Sequence, residues 1–508
     1  MKKILAVLFV LALIVPMVFA NGSKESASSG SVKDEFIIAN AIDITSADKM
    51  ENSTVIGNQI WNLIFNGLVE YDPETSEIVL SLAEKYEQPS DSVYIFHLKK
   101  GVKFSNGDEF TAKDVIHTYN RQVTMPAAAS YAASIDKIEA LDDYTVKYTL
   151  KAPNAAFLGQ LAQTCGFIES KKAYEENGNK FAPVGTGPYK FAEWVPAESI
   201  TVERFEGSWD KDAKAKKIIM RIIPEAAARV IALQNGEIDV ALEPAAVDLG
   251  YIKDDANCKL LQVTSCKLDY FSFNSQKAPF TNAKVRKALA MAINKDEIIS
   301  AVLEGNGIPA NDVVGYGTIT SANKENTPIK YDLEGAKKLL AEAGYPNGGG
   351  IKFSVTLNGD IRQRVAEVIQ AQFAKVGVTM TINSWDNATH RQHINSGAFD
   401  SSVSAWSNPG DPDIIIRNMF HSSMVGVNNR TWLADPAFDK RIDALTQEFD
   451  NAKRVAGYKA LQQDLLNTCV MVPLYYETLS VGTGANVQGV RLNSGGTHDY
   501  KHAYTLVK

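Results

Sequence analysis

His390 and His393 stand three residues apart in the segment Asp386 to Ser396, the spacing at which two imidazoles share one face of a helix. Such a pair holds a metal ion when a third donor, here His421 or Asp411, is brought beside it. Arg391 and Gln392 between them favour the other reading, two solvated histidines, and no metal site is expected; His498 and His502 read the same way. The cysteines Cys165, Cys258, Cys266 and Cys469 show no C-x-x-C spacing, so neither a zinc knuckle nor a redox motif is written here. Cys258 and Cys266 could be bridged only if the chain folds back between them, because the straight strand separating them would span about 26 Å. Buried free thiols are the alternative. No G-x-x-x-x-G-K-[ST] loop, H-E-x-x-H or G-x-S-x-G occurs, which removes the commonest nucleotide-hydrolysing and hydrolase signatures. Gly185-Thr186-Gly187-Pro188 has the glycines of a phosphate cradle, but Pro188 lacks an amide and Phe181 to Pro183 replaces the apolar strand, so it reads as a structural turn. No catalytic residue and no cofactor are expected.

The elements that would position a binding site alternate between strand and helix. Phe36 to Ala41 and Tyr94 to Leu98 read as strands, while Lys284 to Ile293 places Val285, Ala288, Leu289, Ala292 and Ile293 on one helical face. Val365, Val368, Ile369, Phe373 and Val376 make a second such face, with Gly377 as a stop before the strand Val378 to Ile382. Asp332 to Gly344 repeats the plan, with Asp332 as N-cap and Gly344-Tyr345-Pro346 forbidding continuation. Mixed α/β lobes follow.

Lys2 and Lys3 precede an apolar run from Ile4 to Phe19 that closes at Val18-Phe19-Ala20, the pattern of a cleavable signal peptide over 1–20. Ser, Gly and Lys dominate 21–35, which reads as a flexible linker. The first cysteine is Cys165, so no lipid-anchoring cysteine follows the cleavage site, and a soluble periplasmic protein is expected. About 490 residues then remain, too many for one ordinary domain. The net charge of −7 is mild and no Lys/Arg block occurs, which argues against a nucleic-acid partner.

Phe104 to Arg121 and Val184 to Trp194, with Asn66 to Pro73, Phe273 to Lys295, Tyr331 to Gly348 and Leu466 to Tyr476, occur in an order that resembles the large peptide-type solute-binding proteins of ABC importers, family 5. The resemblance implies an α/β, two-lobed periplasmic binding protein fold of class II with an extra inserted subdomain. Carried over, 36–60, 184–270 and 476–508 form lobe I, 61–183 the inserted subdomain docked by the Gly185 turn, and 271–475 lobe II, with Tyr270 to Asn274 and Val472 to Tyr476 as the crossing strands. A cut into two consecutive domains at Gly348-Gly349-Gly350 is the alternative, although that run sits in a helix-to-strand loop.

The same resemblance implies a monomeric extracytoplasmic receptor that captures a short peptide and presents it to a membrane permease. Carriage of an oligosaccharide or metal chelate, or sensing for a chemoreceptor, stays open beside it. Peptide-binding members place a tryptophan and then an aspartate, which pairs with the ligand's α-ammonium, in the segment matching Ala405 to Asp413. Here Trp406 matches, Asn408 stands near the place of the aspartate, and Asp411 is the candidate substitute, with Asp413 expected to cap the helix Ile414 to Phe420. For the ligand's carboxylate the direct counterpart falls near Thr356 to Asn358, leaving Arg362 as the candidate guanidinium. Trp385 follows a strand at the carboxyl end, where α/β sheets place their ligand crevice, and can stack on a side chain or sugar face.

Overall fold

The computed structural model describes residues 31–51, 54–126, 128–318, 320–407 and 410–507. The expected signal peptide, the linker up to residue 30, and Asn408 lie outside the described residues. Residues 31–35 of the expected linker are held in place: Val32 bridges Leu506, the Val507 amide donates to the Ser31 carbonyl at 2.7 Å, and a strand begins at Glu35.

Two long strands tie the molecule together. Cys258–Phe273 and Met471–Gly484 pair antiparallel with each other in the middle of an 11-stranded sheet. Beyond Cys258–Phe273 lie Ser401–Ser407, Lys352–Leu357 and Thr379–Ser384, the last three mutually parallel. Beyond Met471–Gly484 lie Val240–Leu242, Glu35–Asn40, Lys217–Ile222, Ser199–Arg204 and Tyr189–Val195. The long pair loses register between Thr264 and Leu268, and such a bulge bends a strand. It falls between the half that meets the Val240–Leu242 side and the half that meets Ser401–Ser407. The two sides are the lobes. Of the expected crossings, Tyr270 to Phe273 and Val472 to Tyr476 belong to these longer strands, and Asn274 lies just past the end of the first.

Helices cover the lobe II strands as their apolar periodicity dictates. Ala283–Met291 buries Val285, Ala288 and Leu289, and Asp360–Ala374 buries Val365, Ile369 and Phe373, all in one cluster with Phe271, Phe273 and Val355. Asp332 caps Leu333–Glu342 by accepting from the Gly335 amide at 2.8 Å. Gly377 has φ +79°, and a Cβ there would lie 1.7 Å from the Asn347 carbonyl oxygen, so only glycine makes this stop.

A separate four-stranded antiparallel sheet runs in the order Ala83–Ser90, Val93–Leu98, Thr145–Leu150, Ile135–Asp142, over a core containing Leu82, Phe96, Phe104 and Phe110. The Gly185-Thr186-Gly187 turn lies against the end of the helix Val55–Ile64: the Gly187 amide donates to the Ile64 carbonyl at 2.8 Å, and a Cβ on Gly185 would lie 2.0 Å from the same oxygen. The Gly187 amide thus satisfies a carbonyl at the helix end. Cys258 and Cys266 lie on one continuous strand, and none of the four cysteines is joined in a disulfide.

Candidate functional site

The strand Ser401–Ser407 ends between the lobes, and residue alternation decides what its end presents. Ala405 lines a cavity of about 120 Å³ on the lobe II side, and Ser407 lines one of about 490 Å³ that extends into lobe I. Trp406 points the other way. Val55, Asn58 and Asn62, on one face of the helix Val55–Ile64, form one wall of the large cavity, and Glu70 to Pro73, Gln163, Thr164, Trp209 and the 491–502 segment complete it. The lobes also touch directly, with the Ala155 amide donating to the Thr446 carbonyl at 3.0 Å.

Three ion pairs lie within the wall of the large cavity, and Asp499 adds a further carboxylate that accepts from the Lys501 amide at 2.9 Å. Glu70 accepts from Lys501 Nζ at 2.7 Å and from Asn66 Nδ2 at 2.9 Å; burial opposes its ionisation, but the ammonium and hydrogen bonds hold its carboxyl below the usual range. Asp72 takes Arg491 at 2.6 Å, and Asp210 takes His502 Nε2 at 3.0 Å, a bond that raises the imidazole's pKa. Asn58, Asn62, Gln163 and Asn493 add side-chain amides, which donate and accept.

The small cavity has the opposite character. Arg362, Arg391 and Arg430 line it with Asn358, Asn387, Asn428, Ser404 and His390, and no carboxylate does. Arg362 Nη1 donates to Asn358 Oδ1 at 3.1 Å, and its Nε lies 3.6 Å from Asp269, a carboxyl pushed up to about 6 by burial against the pull of Lys267. Arg430 donates to the Ala405 carbonyl at 3.3 Å and lies 5.8 Å above the centroid of Trp406. His390 is buried, and burial together with the charges of Arg430 and Arg362 pushes its pKa down to about 4.

Of the expected contacts, Arg362 alone among the described ones lines a cavity. Trp406 packs into the cluster of Tyr270, Ile415, Ile416 and Met419 and supports Arg430 from behind. Trp385 is 41 % exposed and lies against the His393 ring at 4.7 Å, outside both cavities. Asp411 is engaged elsewhere: its oxygens accept from Arg454 at 2.7 and 2.6 Å, and it, rather than Asp413, is the N-cap of the helix Pro412–Phe420, because Pro412 suits the first helical position. Asp413 is instead buried beneath Tyr458, which donates to it at 2.8 Å. His390 and His498 are buried, contrary to the solvated reading. Among the described residues the one cluster with metal-ligand spacing is Asp210, Asp212 and His502, apart from His390, His393 and His421.

Sequence reasoning missed Arg430, Arg391, Lys501 and Trp209. Arg391, between the two histidines, reads in the sequence as a sign of solvation; the others sit far from any motif, and no spacing signals them. Among the described residues no helix is long and apolar enough to cross a membrane.

Two lobes on a shared pair of strands, with a solute-sized cleft walled by both, define a receptor that encloses a small ligand. The chain matches bacterial extracellular solute-binding proteins, family 5, middle region, over residues 77–426, and it belongs to that family. It is 32 % identical over 459 residues to heme-binding protein A of Haemophilus influenzae, covering 84 % of each chain. It is 30 % identical over 479 residues to the dipeptide-binding protein of Escherichia coli, covering 86 % of this chain and 88 % of that one. Its fold superposes on HbpA2 from Haemophilus parasuis with a TM-score of 0.86 at 25 % identity, covering 93 % of this chain and 100 % of the other.

Proposed function

We propose that this protein captures short peptides between its lobes and delivers them to the permease of an ABC importer, without catalysing a reaction. The observation that carries the reading is the large cavity: about 490 Å³, with its described ion pairs internally matched and its surface rich in side-chain amides. Such a wall offers a ligand side-chain donors and acceptors, which a peptide backbone can match. Closure selects the liganded state because a solute in the cavity adds contacts to both walls. In this reading the signal peptide is removed after Ala20, 61–183 is the inserted subdomain, and the mature protein works as a monomer in the periplasm.

Calorimetric titration of purified protein with tri-alanine tests it. Saturable heat, with a radius of gyration that shrinks on binding, is expected. Absence of binding across a tripeptide panel, or hydrolysis of the peptide by clean protein, overturns it.

A further inference from the structure

Asp210, Asp212 and His502 offer one donor atom each, and these three atoms lie within 4.8 Å of one another. Asp210 and His502 are 292 residues apart along the chain, so the fold alone brings them together. Both segments are held in place. The Asp210 amide donates to Ser208 Oγ at 3.1 Å, the Asp212 amide donates to Asp210 Oδ1 at 3.1 Å, and Trp209 Nε1 anchors the residue before them on Asn66 Oδ1 at 3.3 Å. On the other segment a Cβ at Gly489 would lie 2.3 Å from the His502 carbonyl oxygen, and the paired strands Val487–Gln488 and Tyr504–Thr505 flank that contact.

The charges here do not balance. His502 Nε2 lies 3.1 and 3.0 Å from the two oxygens of Asp210, and among the described residues the Asp212 carboxylate makes no hydrogen bond or ion pair. Asp499 adds a third negative charge that acts on the imidazole. Lys211, between the two aspartates, turns away to the Glu206 carbonyl at 2.9 Å, and Lys501 is taken by Glu70 at 2.7 Å. An imidazole with two carboxylates and an excess of negative charge suits Zn²⁺, Co²⁺ or Ni²⁺ better than Mg²⁺ or Ca²⁺, which prefer oxygen donors alone. Two donors on one such ion, at bonds of about 2.0–2.2 Å, stand at most about 4.4 Å apart, so a small rotation of the exposed Asp212 side chain closes the set.

We propose that Asp210, Asp212 and His502 bind a divalent transition-metal ion in the wall of the large cavity. The ion displaces the proton of Nε2, which is released to solvent, and three protein donors leave it a further coordination position. Asp210 and His502 both line the cavity, which sets that position beside the solute. A carboxylate or amine of the solute can then complete the ion's shell. The site goes beyond peptide capture and stands whether or not peptides bind.

Calorimetric titration of tag-free, EDTA-dialysed protein with ZnCl₂ tests the assignment. One ion per chain is expected, with no saturable heat from MgCl₂. Asp212→Asn changes an exposed side chain with no described bond, so it keeps the fold; it and His502→Gln are each expected to weaken Zn²⁺ at least about tenfold, since even an outer partner of a metal ligand is worth about 10–100-fold. His393→Gln, which breaks the other histidine pair, should leave the affinity unchanged. No saturable binding, binding that survives Asp212→Asn, or binding lost on His393→Gln overturns the proposal, and if His502→Gln does not fold, Asp212→Asn decides. Azide added to Co²⁺-loaded wild-type protein is expected to shift its visible absorption bands, and an unmoved spectrum overturns the open position. Failure here leaves peptide capture standing, because the tri-alanine titration is run on the metal-free protein.

Discussion

Replacing Asp411 separates an anchor for a ligand amine from a clamp within the fold. Its carboxylate and the Arg454 guanidinium are 10 % and 6 % exposed and joined by two charge-assisted hydrogen bonds of 2.6 and 2.7 Å. Removing one partner of such a buried pair typically costs about 3–5 kcal/mol, because the other charge is left without compensation. Asp411→Asn keeps an oxygen to cap the helix Pro412–Phe420 and one bond to Arg454, so a loss near the lower end, about 3 kcal/mol, is expected. Asp411→Ala also loses the cap, adding about 1 kcal/mol. The Asp411 amide meets the hydroxyl of Tyr71, so the damage lies beside the large cavity that Tyr71 lines. Hydrogen exchange reads it locally: the amides of Pro412–Phe420 and of the first turns of Asn451–Thr468 should lose protection by the same free energy, with Ala worse than Asn. Titration with tri-alanine and its N-acetyl derivative supplies the other half, and their affinity ratio should not change on Asp411→Asn. A variant with unchanged protection whose preference for the free amine falls tenfold refutes the reasoning and restores Asp411 as the anchor.

Gly185→Ala should lower the melting temperature markedly, since its Cβ would sit 2.0 Å from the Ile64 carbonyl oxygen; an unchanged melting curve would show that the turn has room to move. His498 is buried, and burial pushes it down to about 4, below its ordinary 6.5. The unfolded chain then takes up the proton first, so wild-type stability is complete above pH 6.5 and falls between about 6.5 and 4, by on the order of 3 kcal/mol from this residue. Melting curves of wild type and His498→Gln should converge or cross over that range, whereas Asp269 and Asp312, both raised by burial, act equally on the two proteins; parallel curves would refute the assignment. Thiol titration in denaturant without reductant should count four free cysteines, and a count of two would reveal a bridge.

The fold was legible because its signals are local and periodic. The apolar faces of 284–293 and 365–376, the cap at Asp332 and the stop at Gly377 each follow from helical spacing or from a backbone conformation that one residue type favours, and each forms where the pattern puts it. Family motifs supplied the two lobes, which no local pattern states. The site was legible only in outline. Ala405 to Asp413 marks the right place, but which of its side chains face the cleft depends on strand alternation and on the identity of the capping residue, and these turn Trp406 into the core and give Asp411 to Arg454. Arg454 is 43 residues away along the chain, and Lys501 is 431 from Glu70. Charge pairing over such separations leaves no trace in spacing, because it is a property of the folded sheet. The burial of His390 had the same origin: Arg391 and Gln392 describe the exposed side of its helix, while the strand at Thr356 covers the other. Composition and periodicity thus determined which elements form and how they layer, and tertiary packing alone decided which polar groups remain free to meet a ligand.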